Sequence, residues 1–144
     1  MSTARLVFDD KERVGAFVAA EVGQLSSWGD FYAMGAERDG EVIAGIVFNN
    51  VGECNATVHI AVSKPTKLLP ELVDHAFVYA FKQQGLKRLT AFIEESNKKS
   101  LKINSHIGFV DECVMRQAGA GGQDVHLRVL WPHNYRRGKT NGKK

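Results

Sequence analysis

Few side chains in this chain of 144 residues combine a reactive type with an informative position. His59 sits in ATVHIAV, where period-two alternation marks a strand. Its unperturbed pKa near neutrality suits a base or proton shuttle, and a histidine hydrogen-bonded within a sheet is the other reading. Asn97 stands between the apolar run Leu89 to Ile93 and the helically spaced Leu101, Ile103 and Ile107, which Gly108 ends. Asn97 or Ser96 there caps a short helix whose first amides are exposed. Such an end can meet an anion or a carbonyl, although strand, cap, helix and glycine also occur together with no chemistry. The glycine-rich AGAGG, residues 118–122, looks like a phosphate cradle only superficially. It lies between two strand-like runs and opens no helix, so a flexible hairpin loop is expected. Cys54 and Cys113 lack CxxC or Cys/His ligand spacing and read as reduced, packed thiols, and no metal site is expected.

The elements that position these residues follow from pattern changes along the chain. Arg5 to Phe8 reads as an edge strand. A helix capped by Asp9 or Asp10 runs to about Val22, burying Val14, Phe17, Val18 and Val22 and ending at Gly23. Trp28, in the polar connection that follows, is a lid over a pocket or, better, core. Phe31 to Arg38 and Val42 to Phe48 pair through Asp39-Gly40, a strong hairpin signal, and a third strand spans Ala56 to Val62. In it Val58, Ile60 and Val62 share one face, and Thr57, His59 and Ala61 the other. Pro70 opens a helix to about Gln84, closed by Gly85, with Leu72, Val73, Ala76, Phe77, Ala80 and Phe81 buried. Val110 to Gln117 and Val125 to Trp131 complete the set.

Length fits one domain able to bury its own core. No apolar run is long enough for a bilayer and the start lacks a secretion signal's layout, so a cytoplasmic protein without membrane contact is expected. The net charge of +3 owes much to Arg136, Arg137, Lys139, Lys143 and Lys144. Residues 1–132 are expected to form the domain and 133–144 a disordered basic tail. That tail solvates the protein, and it is the one segment suited to contacting nucleic acid.

The order strand, helix, three meandering strands, helix, strand, helix and two strands, with Asn97, Ser100 and Gly108-Phe109 in register, resembles the GNAT superfamily of acyl-CoA-dependent N-acyltransferases. Glu112, Arg116 and Asp124 around the last hairpin resemble its ribosomal-protein-acetylating branch. The resemblance spans roughly Phe31 to Leu130. It implies a single α/β (α+β) domain with a mixed central sheet of six or seven strands and helices on both faces. It also implies acetyl-CoA as cofactor and an amine as acceptor, whether a protein N-terminus, a lysine or a small molecule. Backbone groups of Ile60, Ala61, Val62 and Ser63 would pair with the pantetheine arm as an added strand. Lys64, Lys67 and the helix start at Leu68 and Leu69 would hold the pyrophosphate. Asn97 and Ser100 would contact the arm. His59, Ser100 and Asn104 fall at the catalytic positions.

Two departures accompany the resemblance. The family's glycine-bearing pyrophosphate loop is replaced by SKPTKLLPELV, which contains no glycine, and Pro65 and Pro70 remove two amide donors. Asn104 stands where many members carry an acidic tyrosine, and an amide cannot protonate a thiolate. Ser100, Ser105 or water would take that part. The alternative function is a catalytically degenerate GNAT-shaped binding or assembly component, of a kind found in bacteriophage particles. That origin would place the protein in a host cytoplasm or a virion. A homodimer through the last strands, with Trp131 in the contact, is the expected assembly.

Overall fold

The computed structural model describes residues 3–136. Strand β1 (Ala4–Val7) leads into helix α1 (Lys11–Val22), then strands β2 (Phe31–Arg38), β3 (Glu41–Asn49) and β4 (Asn55–Val62). Helix α2 (Leu69–Val78) continues through a π turn over Tyr79–Gln83, followed by β5 (Arg88–Glu94), helix α3 (Lys98–Ile107), β6 (Val110–Met115) and β7 (Val125–Leu130). All seven strands form one sheet in the order β1-β2-β3-β4-β5-β7-β6. This is the mixed α/β architecture expected from the sequence.

Local chemistry accounts for most of the boundaries. The Asp10 carboxylate accepts the Arg13 amide at 3.4 Å and caps α1, and Gly23 ends it at φ 76°. Asp39 and Gly40 turn the first hairpin at φ 55° and 77°, the paired left-handed geometry that Asp-Gly favours. Beyond β4 the connections must cross the sheet, because β4 and β5 are parallel. Helix α2 carries β4 to β5, and α3 carries β5 to the edge strand β6. Both crossovers run in the same direction and deposit their helices on the same face. There Leu72, Val73, Ala76, Phe77 and Ile107 pack against Ile46, Phe48, Val58, Ile60, Leu89 and Ala91. On the other face α1 buries Val14 and Val18 against Val47 and Ala61, with Trp28 in the same core.

Three sequence expectations change. Cys54 and Cys113 are free but exposed, in the β3–β4 turn and on the edge strand β6, because neither position has an element above it. Val22, expected in the buried stripe of α1, is 36% exposed, since it comes after the last turn that rests on the sheet. Strand β6 ends at Met115, two residues short of Gln117, which turns to φ 59° while its amide donates to Asp124 Oδ1 at 3.0 Å. Of the segment expected as a basic tail, residues 133–136 continue the packed chain and 137–144 lie outside the described residues. Tyr135 packs edge-on against Phe77, its hydroxyl donates to Asp74, and the Arg136 amide donates to Ile107 O at 2.8 Å.

Helix α1 lies close to the sheet because Gly35 and Gly45 have no side chain beneath it. A Cβ on Gly45 would stand 2.7 Å from Val18 Cγ2 and 3.0 Å from Val14 Cγ1. Both neighbours are β-branched and fully buried, so neither can swing aside. Gly45→Ala is therefore expected to lower stability by about 1 to 3 kcal/mol in urea unfolding. A variant as stable as the parent would show that α1 can withdraw from the sheet without loss.

Candidate functional site: a split in the sheet

Strands β4 and β5 pair at only three positions, Asn55 with Arg88, Ala56 with Leu89 and Thr57 with Thr90. Beyond them β4 stays with β3 as far as Val62, and β5 stays with β7 as far as Glu94. The two strands diverge, each held on its outer edge. Side chains fix the closed end of the V. Thr90 Oγ1 donates to Asn55 Oδ1 at 2.7 Å and accepts from Arg88 Nη2 at 3.1 Å, and Arg88 forks onto Glu112 at 2.9 and 3.2 Å.

The open end exposes backbone that the sheet does not satisfy. The Ser63 amide donates to Ile43 O at 2.8 Å, so Ser63 and, by alternation, Ala61 turn their peptide groups toward β3. Ile60 and Val62 must turn theirs into the split. Val62 O confirms this direction, because it accepts from the Lys99 ammonium on α3. Of the four residues expected to offer a strand edge, Ile60 and Val62 face the split, Val62 with its carbonyl taken by Lys99, and Ala61 and Ser63 are turned toward β3.

A cavity of about 80 Å³ occupies the split, bordered by Val58, His59 and Ile60 on β4, by Ala91 to Glu94 on β5, and by Asn97, Ser100 and Asn104 on α3. The sheet register sorts these groups by face. Thr57 aligns with Thr90, so His59 and Glu94 project on the α1 side, while α3 approaches from the other. The split is where the two faces meet.

On the α3 side, Asn97 Oδ1 accepts the Ser100 amide at 3.2 Å and caps the helix, and the Asn97 amide donates to Glu94 O at 2.9 Å. Asn97 is thus a cap as expected, with its amide NH2 left over from that bond. Asn104 is 3% exposed, and its Oδ1 has no hydrogen-bond partner. A buried carbonyl oxygen without a donor costs roughly 1 to 3 kcal/mol. At the wall of a cavity it is a place for an incoming N–H or O–H.

On the α1 side, His59 Nε2 lies 3.0 Å from Asn49 Oδ1, and Asn49 Nδ2 donates to Trp28 O at 3.4 Å. That chain orients the Asn49 amide, so His59 carries its proton on Nε2 and leaves Nδ1 as the base. Burial against Trp28, at 4.5 Å between rings, pushes the His59 pKa down to about 4. At neutral pH the ring is uncharged and a weak base. Trp28 belongs to the core rather than to a lid.

Glu94 is the residue that the sequence reading passed over. Its Oε2 accepts the Ala120 amide at 2.7 Å, and a Cβ on Gly119 would come within 2.9 Å of that oxygen. The AGAGG stretch is therefore a docked loop rather than a loose hairpin. Gly119 N donates to Gln123 O at 2.8 Å, Gln123 Oε1 accepts the Ser96 amide at 2.8 Å, and the whole grips the exit of β5. Glycine is needed there for close approach to a carboxylate, and no local pattern announces a partner so distant in sequence.

The loop after β4 is closed upon itself. Thr66 Oγ1 accepts the Leu68 amide at 3.1 Å and Thr66 O accepts the Leu69 amide at 3.3 Å. Lys64 is paired with Glu41 at 3.0 Å, and Lys67 is exposed. The amides and one of the lysines expected to cradle a pyrophosphate are thus already engaged.

Comparison with solved structures finds the same fold elsewhere. The chain superposes on yncA from Salmonella typhimurium, solved with its cofactor acetyl-CoA, with a TM-score of 0.69 at 18% identity over 89% of this chain and 93% of that one. It superposes on a variant of the spermidine N-acetyltransferase SpeG from Vibrio cholerae with a TM-score of 0.68 at 16% identity, covering 90% and 93%. The ribosomal-protein-S5-alanine acetyltransferase from Vibrio fischeri gives 0.68 at 14%, covering 94% and 95%. The fold is the GNAT fold. No protein-family model and no curated protein sequence matches the chain. An acyl-CoA fits the split in two respects, the strand edge at Ile60 and Val62 that no neighbouring strand pairs, with Lys99 on Val62 O, and the unpartnered Asn104 Oδ1.

The half-buried His59 makes stability depend on pH. Its folded pKa of about 4 lies below the value of about 6.5 in the unfolded chain, which therefore takes up a proton first as pH falls. Stability should drop by about 1 to 3 kcal/mol between pH 6.5 and pH 4. His59→Gln, which can still donate to Asn49, should flatten that slope in denaturant titrations across the window. An unchanged slope would assign the acid sensitivity to other groups.

Proposed function

We propose that the protein is an acyl-CoA-dependent N-acyltransferase working in the split between β4 and β5. The observation that carries this reading is the inner edge of β4, which no strand pairs beyond Thr57 and where only Lys99 reaches Val62 O, opposite the buried, partnerless Asn104 Oδ1. A free strand edge is matched by an extended arm bearing amide groups, such as pantetheine, which adds to a sheet through its own N–H and C=O. The thioester of such a cofactor supplies an activated acyl carbon.

The chain's residues then divide the work. Ile60 and Val62 orient the arm through their backbone groups. Asn97 holds the start of α3 in place and offers its amide NH2 to a carbonyl, with Ser100 beside it. Asn104 Oδ1 accepts from an N–H of the arm or of the amine. Glu94, across the split and held by Ala120, takes the proton that the attacking amine loses. His59 remains neutral and shapes the α1 side of the opening. The nitrogen forms its bond to the acyl carbon as the carbon–sulfur bond breaks, and water or Ser100 returns a proton to the thiolate. The acceptor is an amine: a protein N-terminus, a lysine or a small molecule. The exposed edge strand β6, with Val110, Val114 and Met115 uncovered, is the surface through which a homodimer would form.

Two measurements test this reading together. Acetyl-CoA should bind the wild-type chain in calorimetric titration, and no heat at any concentration would remove it. Glu94→Gln retains an oxygen for the Ala120 amide, so it should keep acetyl-CoA affinity. With a panel of peptide N-termini, lysine peptides and polyamines as acceptors, it should lose about 100-fold or more in turnover. Equal turnover in the variant would discharge Glu94 as the base.

A further inference from the structure

Lys99 crosses the open end of the split. It is the second residue of α3, and its ammonium reaches over to donate to Val62 O, the last inward-facing acceptor on β4. Together with Glu21, Ile60, Val62, Asn97 and Ser100 it borders a second opening of about 80 Å³, next to the first. The ammonium–carbonyl bond is charge-assisted on the donor side only and leaves the positive charge without a counter-ion, which an arriving anion would supply. Two neighbouring cations are engaged otherwise, while Lys67 is exposed on the loop after β4. Lys98 sits on Glu95 at 2.8 Å and Lys64 on Glu41 at 3.0 Å. Glu21 borders the same opening from α1, so an anion arriving there needs Lys99 as its counter-charge.

Building on the acyl-CoA reading above, we propose that Lys99 is an exchangeable latch and the diphosphate ligand of this chain. Closed, it satisfies Val62 O. When an arm bearing amides enters, an N–H of the arm replaces the ammonium on Val62 O, and Lys99 turns to the diphosphate behind it. The exchange leaves the Val62 carbonyl paired, and it places a positive charge beside a loop that has no glycine and whose Leu68 and Leu69 amides are already bonded to Thr66. Lys99 thereby couples occupancy of the strand edge to the presence of a phosphate group.

The latch makes opposite predictions for two probes. CoA carries both the arm and the diphosphate, whereas pantetheine carries the arm alone. Lys99→Met keeps a good helix former at an exposed position, and the thermal midpoint should show the fold intact. It should weaken CoA by about tenfold or more in calorimetry, the equivalent of one charge-assisted hydrogen bond. It should leave pantetheine affinity, followed by amide NMR titration, unchanged or tighter, because Val62 O is no longer occupied. Lys64→Met should change CoA affinity less than about twofold. Equal weakening of both probes by Lys99→Met, or undiminished CoA binding, would overturn the proposal while leaving the acyl-CoA reading intact. A wild-type chain that bound neither probe would remove that reading and the latch with it.

Discussion

A strand inside a sheet is paired along both its edges, and in this fold two adjacent inner strands are not. Strands β4 and β5 are held on their outer sides by β3 and β7, and they are pinned together only at Asn55 to Thr57. The Asn55, Thr90, Arg88 and Glu112 chain locks the apex, so the divergence is built in. Unpaired backbone in a partly buried place is costly, and the molecule covers it piecemeal. The Asn97 amide takes Glu94 O and the Lys99 ammonium takes Val62 O, while Ile60 and Asn104 face the cavity. The rest of the architecture follows from that opening. Helix α3 must start beside it, α1 must end at its rim, and the loop between β6 and β7 must close over the end of β5.

The same split joins two chemically different surfaces. Helix α3 brings amide side chains and a helix cap to one side, and β4 and β5 project an imidazole and a carboxylate on the other. The carboxylate is held by a glycine-permitted backbone contact at Gly119 and Ala120, and the imidazole is kept neutral by burial. In the acyltransferase reading, these two surfaces would bring a thioester and an amine together at the split.

The parts legible in the sequence were those governed by local rules. Asp39-Gly40, the cap at Asn97, the stop at Gly108 and the register of hydrophobic residues on α2 each follow from neighbours in the chain, and together they order the elements correctly. What escaped were contacts between residues far apart. Glu94 reads as one more polar residue after a strand until Ala120 is placed against it. Cys54 and Cys113 have the composition of core thiols, and only the topology shows that nothing covers them. Lys64 points from a loop suited to phosphates, yet Glu41 on β3 claims it. That Lys99 on α3 reaches back to Val62 O on β4 could not be read from spacing.

Amide hydrogen exchange on β4 tests the central claim most directly. If the inner edge of β4 is the binding edge, saturating acetyl-CoA should slow exchange strongly at Ile60 and Val62. Ala61 and Ser63, already bonded toward β3, should hardly change. Alternating protection along the strand is the signature of an added partner. Uniform protection of residues 60–63, or none at all, would contradict the account, because it would mean that the split does not take its ligand as a strand.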